Sequence, residues 1–360
     1  MSVFLIIVEF IISLGILLFL HEFGHYIAAK IFNIEVEEFG FGYPPRLFKL
    51  FRFRETDFTF NLIPFGAFVR IKGEEDPEVP GGFSSASPIK RMIILLSGPL
   101  MNLLTGILLF SIIFSRTGAP DFNSVQVIDV SENSPAAVSG IIPGDVILKI
   151  NEVEIDSMEI LASTIQSNLG SEITLYYERD GISNSINAIP RIDPPEGEGA
   201  LGIVMTNPIK DINVIEAVPL GFLITYEQAK QLFELPGKLI LNEIKPEEAR
   251  FVGPVGIFNI YQDARSKDIE TIQSPEEAEI PAVNTLWIMA VISVALGLFN
   301  LLPIPALDGG RILFILPELF FRKKVPPKYE NAFHFLGFML LIMLMVYITT
   351  QDIINPIDIP

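Results

Sequence analysis

Apolar residues gather into four long blocks, and polar residues fill the stretches between them. Each block is close to the ~20 residues that a helix needs to cross the hydrocarbon core of a bilayer. The pattern therefore predicts four membrane spans: Val3–Ala29, Met92–Ser115, Ala282–Leu302 and Phe333–Thr350. The first carries Glu9 as its only charge between Val3 and Leu20. Without a basic start or a small-residue cleavage site, it reads as a permanent span and not as a signal peptide. Between the first two spans, Phe58–Ile63 and Ala67–Lys72 read as two strands around Pro64-Phe65-Gly66. The second alternates apolar and polar positions, and the pair is predicted to form a hairpin. So apolar a hairpin does not sit free in water, and we expect it against or partly within the membrane. Glu74–Gly82, rich in acids, Pro and Gly, is a loop.

Span two contains Gly98-Pro99 and Asn102. Proline is expected to break its helical ladder, Gly to permit close helix contact, and Asn102 to need a partner, with a supporting role at a site open to it. Strand-like runs then recur at Val125–Val130, Val146–Ile150, Ile173–Arg179, Ser185–Ile189 and Leu201–Met205, with a helix at Met158–Asn168. From Ala217 to Lys267, Phe222, Tyr226, Ala229 and Phe233 recur at helical spacing, and Gly253-Pro254-Val255-Gly256 interrupts the pattern. Those helices are expected to lie at the outer membrane surface or to brace the module before them. Ser274–Pro281 reads as a polar linker.

Composition changes this picture in two places. The net charge of −18 looks unsuited to a membrane, but Thr117–Pro281 alone holds 10 Lys and Arg against 27 Asp and Glu. The acidity therefore belongs to one polar segment, which argues against nucleic acid as a partner. The mean hydropathy of +0.46 fits a membrane protein. Cysteine is absent, which excludes disulfides and thiolate metal sites. Nine Lys and Arg lie between spans one and two, five between spans three and four, and none in either terminal tail. Both connecting segments are thus expected to face the cytoplasm, with the acidic segment outside.

Candidate chemistry sits at the end of the first apolar block, His21-Glu22-Phe23-Gly24-His25. Residues four apart share a helix face, so the two imidazoles converge as ligands for Zn²⁺, with Glu22 beside them as a general base. Ionisable groups at membrane depth are costly and usually functional. The alternative is a helix end whose polar residues meet the headgroups. A catalytic zinc takes three protein ligands and leaves one position open. Asp308, within Asn300-Leu301-Leu302-Pro303-Ile304-Pro305-Ala306-Leu307-Asp308-Gly309-Gly310, lies at the same end of span three. It can supply the third ligand, although Asp-Gly is also a common turn pair. His334 reads as an interfacial histidine, and Glu9 as a neighbour of the outer headgroups.

Two resemblances follow from these motifs. Ser134-Pro135-Ala136-Ala137 with Gly140, then Pro143-Gly144-Asp145-Val146-Ile147-Leu148-Lys149-Ile150-Asn151, resembles the signature of PDZ domains, in a single copy. The whole chain resembles the site-2 protease family of intramembrane zinc metalloproteases, of the bacterial regulated-proteolysis type. The likeness rests on HEFGH (21–25), the hairpin, GPLMN (98–102), the PDZ-like module, GPVG (253–256) and NLLPIPALDGG (300–310). It implies a multi-pass α-helical membrane protein with about four transmembrane helices, a membrane-associated β-hairpin and an extracytoplasmic α/β PDZ domain. The divisions would be 1–116, 117–210, 211–281 and 282–360. It further implies Zn²⁺ held by His21, His25 and Asp308, Glu22 as catalytic base, and Asn300 in contact with the substrate or its reacting carbonyl. The expected substrates are single-pass membrane proteins such as membrane-bound regulators, anti-sigma factors or signal-peptide remnants. Cleavage would occur in the cytoplasmic membrane, near its cytoplasmic face, with the PDZ module gating access. The competing expectations are an inactive PDZ-bearing membrane scaffold and a zinc transporter.

Overall fold

A computed structural model describes residues 2–74, 76, 78–244, 250–274 and 280–356. It divides into two units, residues 117–213 and the remainder of the chain. The larger unit begins with α1 (Val3–Ile31), followed by β1 (Val36–Phe53), β2 (Thr56–Ile71) and α2 (Pro88–Thr117). Helix α2 runs unbroken through Pro99, so the expected break in span two does not occur. Neighbouring helices in a membrane bundle can absorb the freed carbonyl that a proline leaves.

The hairpin expected between Phe58–Ile63 and Ala67–Lys72 is corrected in its pairing. Both segments are extended, but they belong to one long strand, β2, and do not pair with each other. The first part of β1 lies between them, with Phe39 opposite both Val69 and Phe58, and Gly40 opposite both Phe68 and Thr59. The second part of β1 then continues the sheet, with Lys49 opposite Thr59 and Phe51 opposite Phe58. Residues 67–71 therefore form an outer edge. This sheet packs on α1 through aromatic rings: Phe19 lies 5.2 Å from Phe39, and Tyr26 lies 5.8 Å from it. Val36–Phe53 carries no comparable alternation, because paired Pro44-Pro45 and basic residues interrupt it.

The smaller unit contains β3 (Ala119–Pro120), β4 (Val125–Val130), α3 (Pro135–Ser139), β5 (Val146–Ile150), β6 (Val153–Glu154), α4 (Met158–Gln166), β7 (Ile173–Arg179), β8 (Ile182–Ala188), β9 (Ile203–Thr206) and β10 (Ile209–Lys210). Its main sheet has the antiparallel order β8-β7-β5-β4-β9, and β6 pairs with β5. Ser134 caps α3 by accepting from the Ala137 amide at 3.1 Å, and Gly140 closes that helix in a left-handed conformation. Buried Asp145 accepts from Arg179 Nε at 2.6 Å and from the Ile142 amide at 2.9 Å. The hydrogen-bonded Asp145 carboxylate holds the Arg179 guanidinium above its ordinary range. Val127, Ile147, Ile150, Leu161 and Leu175 close the core between sheet and helix.

The chain then re-enters the larger unit through α5 (Val214–Ile240), α6 (Pro254–Gln273), α7 (Asn284–Leu301), α8 (Asp308–Phe321) and α9 (Pro327–Ile354). Helices α1, α2, α7 and α9 are long and apolar enough to cross a membrane. Of the helices expected in this region, α6 packs against α1, α7 and α9. Phe10 of α1 packs on Phe258 and Tyr261 of α6, and Arg265 pairs with Glu9 at 2.8 Å. Buried Asp268 accepts from the backbone amides of Asn284 and Thr285, capping α7. Asp352 of α9 does the same for Gly256 near the start of α6. Most of the linker expected at Ser274–Pro281 lies outside the described residues.

Leu161 is fully buried in the smaller unit. Leu161→Ala is expected to cost that unit about 2–5 kcal/mol. Hydrogen exchange on the intact protein should then show faster opening of the β7 amides, and unchanged protection would contradict this core.

Candidate active site

Helix α1 carries the two histidines one turn apart near its C-terminal end, both 7% exposed. Their Nε2 atoms lie 3.2 Å apart. Asp308, the first residue of α8, brings Oδ2 within 3.1 Å of His21 Nε2 and 3.4 Å of His25 Nε2. Three ligand atoms around a tetrahedral zinc, with bonds of about 2.0–2.1 Å, stand roughly 3.3 Å from one another. The triangle has that size.

The outer nitrogens fix which lone pairs face the centre. His25 Nδ1 lies 2.7 Å from the Ile94 carbonyl, which can only accept, so Nδ1 carries a proton and, in the neutral ring, Nε2 holds the bare lone pair. The amide nitrogen Nδ2 of fully buried Asn102 lies 3.2 Å from His21 Nδ1, and the amide oxygen has no hydrogen-bond partner among the described residues. Turned so that this oxygen faces the ring, the amide accepts the Nδ1 proton and leaves His21 Nε2 bare as well. Two bare imidazole nitrogens and a carboxylate then converge in a buried space. Such a donor set repels itself unless a cation sits at its centre, and it suits zinc.

Glycine makes the close approach of α2 feasible. A Cβ on Gly98 would stand 2.3 Å from His25 Nε2 and 2.9 Å from His21 Nε2. On the other side, Asp308 opens α8 instead of sitting in an unwound tail of span three. The prolines at 303 and 305 end α7, and the Asp-Gly-Gly run packs tightly against the turn before it. A Cβ on Gly309 would meet the Leu302 carbonyl at 2.2 Å.

The carboxylate of Glu22 lies within 4.8 Å of the imidazole nitrogens. Its Oε2 accepts a 3.1 Å hydrogen bond from the Val69 amide, on the outer edge of β2. The Lys72 amide bonds back to Glu35, at the start of the β1 side. Strand amides alternate, so Ala67 and Ile71 direct theirs to the same side as Val69, away from β1. A cavity of about 180 Å³ lies between this edge and the metal triangle, lined by Glu22, His25, Phe68, Val69, Asp308 and Arg311 among others. Arg311 pairs with Glu74 at its wall, and both also border a larger cavity of about 510 Å³.

Of the sequence-derived residues, His21, Glu22, His25 and Asp308 are thus brought together. Asn300 is not joined to them by a hydrogen bond among the described residues, and its amide donates to Leu296 at 2.9 Å on its own helix. Asn102 occupies the supporting position considered for it. Val69 and the Arg311–Glu74 pair carry no motif and were found only from the fold. Gly98 was legible as a close contact, but not as a contact with imidazoles.

Comparison with known proteins agrees with this chemistry. A model of peptidase family M50 matches residues 9–344. A candidate zinc metalloprotease of Clostridium perfringens is 32% identical over 354 residues, covering 96% of this chain and 98% of its own. The zinc metalloprotease RasP of Oceanobacillus iheyensis is 28% identical over 437 residues, covering 96% and 98%. The solved PDZ domain of an SdrC-like protein from Listeria monocytogenes aligns with 23% of this chain and 88% of its own, at 21% identity and a TM-score of 0.21.

Gly98→Ala should push the imidazoles apart and lower zinc affinity at least tenfold in protein that still folds. Competition with a chelator measures this, and wild-type affinity would contradict the packing described here.

Proposed function

The chain belongs to peptidase family M50 and is a multi-pass membrane zinc metalloprotease, and from that premise we propose that it cleaves peptide bonds within or near the transmembrane segments of single-pass proteins. The observation that carries the proposal is the metal triangle set among membrane-spanning helices, with an open strand edge beside it. A zinc ion held by His21, His25 and Asp308 would supply Lewis acidity and make water a nucleophile at neutral pH.

Everything else falls to the protein's own groups. Glu22 takes the proton of the attacking water at a carboxylate oxygen and returns it to the leaving amine. Its hydrogen bond to Val69 aims that carboxylate into the cavity. A substrate helix keeps its peptide bonds turned inward, so it must first unwind. Bare amide and carbonyl groups in lipid cost several kcal/mol apiece. The amides of Ala67 and Ile71, on either side of the Val69 amide that Glu22 occupies, offer replacement partners, so the unwound segment adds to β2 as a further strand. Water reaches the centre through the larger, charge-lined cavity, past the Arg311–Glu74 pair. Asn300 is kept as a candidate substrate contact near the end of α7.

The distribution of Lys and Arg supports the cytoplasmic membrane, with the histidine end of α1 at its cytoplasmic side and the acidic 117–210 module, read as PDZ-like, outside. On this reading the module admits substrates already trimmed by another protease. Membrane-bound regulators, anti-sigma factors and signal-peptide remnants fit that requirement.

An inactive scaffold with a purely structural metal has no use for Glu22. Glu22→Gln should therefore retain zinc yet lose at least about 10²-fold in cleavage of a single-pass substrate, within the usual range for a general base. Undiminished cleavage would remove Glu22 from the mechanism. Separately, Ala67→Pro deletes an edge amide without touching the Glu22 contact, and should slow cleavage of a membrane-embedded substrate more than tenfold. An unaltered rate would rule out strand addition at this edge.

A further inference from the structure

We infer that His334 and Gly337 of α9 position the loop that presents Asp308, making α9 part of the metal centre without contributing a ligand. The inference rests on the metal site described above. In the loop before α8, Ala306 has a left-handed backbone with φ +69°. That region is unfavourable for a residue with a Cβ, so something outside the loop must hold it. Its amide donates a 2.8 Å hydrogen bond to Nδ1 of His334. One turn further along α9, Gly337 lies directly on Pro305, and an added Cβ would stand only 1.8 Å from Pro305 Cβ. Two neighbouring points of α9 thus clamp two successive residues of the loop, Pro305 and Ala306, within three residues of Asp308.

The chemistry of the contact defines what His334 does. Its Nδ1 accepts from a backbone amide, so that nitrogen is unavailable to a metal, and the ring is further fixed by Phe314 and Phe333 at 5.7 Å. His334 is therefore an anchor of the loop and not a ligand. Leu307 alone separates the anchored residue from Asp308, so rotation of Ala306 out of the left-handed region would swing the carboxylate away from the imidazoles. Residues that orient metal ligands typically change affinity by 10–100-fold when removed.

The test uses the full chain purified in detergent, with zinc affinity read by competition with a chelator and the fold checked by thermal unfolding. His334→Ala should weaken zinc 10–100-fold, whereas His334→Asn, whose Oδ1 can take the place of Nδ1 as acceptor, should stay within a few-fold of wild type. Gly337→Ala, acting on the same loop from the other contact, should also weaken zinc and serves if His334→Ala does not fold. In cleavage assays at limiting zinc both weakened variants should lose kcat with little change in KM, and added zinc should restore it. Wild-type zinc affinity in folded His334→Ala or Gly337→Ala would overturn the anchor alone. Failure of the wild type to bind zinc, with Glu22→Gln behaving identically, would overturn the metal centre together with it.

Discussion

Two bare imidazole nitrogens and one carboxylate aimed at a common point form an arrangement that only a cation makes favourable. In this protein the point is buried among apolar helices, where uncompensated polar groups are most costly. The rest of the larger unit is organised to impose that convergence. The Ile94 carbonyl and, with its amide turned oxygen-first, Asn102 set the two ring tautomers from α2, and Gly98 removes the side chain that would separate them. Helix α8 brings its first residue to the third corner. The distances of 3.1–3.4 Å between ligand atoms follow from this packing, and the four-residue spacing in α1 alone cannot produce them.

On the proposed function, the same neighbourhood meets a second requirement, the handling of a substrate backbone that has lost its helix. An edge strand is normally a liability because its free amides recruit other chains. Here Phe68, Val69 and Ile71 of that edge line the cavity that Glu22 enters, and the proposed strand addition would turn the liability into a docking rail. The base and the rail are joined by one hydrogen bond, from the Val69 amide to Glu22. Positioning a peptide and positioning the proton acceptor are thereby parts of one geometry.

Much of this was legible in the residues. Four apolar blocks of membrane length announced the spans, and the HEFGH run announced two convergent imidazoles because helical periodicity is local. Asp308 was legible only as a residue at the right depth, and its place at the start of α8 depends on tertiary packing. The sheet was half legible: Phe58–Ile63 and Ala67–Lys72 alternate clearly, but the insertion of β1 between them is a long-range pairing that alternation cannot encode. Pro99 misled, since in a packed bundle its missing amide does not break α2. His334 carried no signal beyond being a polar residue in an apolar block, because its partner is a backbone amide 28 positions away.

The central claim concerns three ligands from two helices around one zinc ion. X-ray absorption at the zinc edge of the purified protein tests it most directly. The account requires two imidazole nitrogens and light oxygen donors at about 2.0–2.2 Å, and loss of zinc or of an oxygen donor when Asp308 is replaced by Ala. A spectrum with fewer than two imidazoles, or one that Asp308→Ala leaves unchanged with zinc still bound, would contradict it.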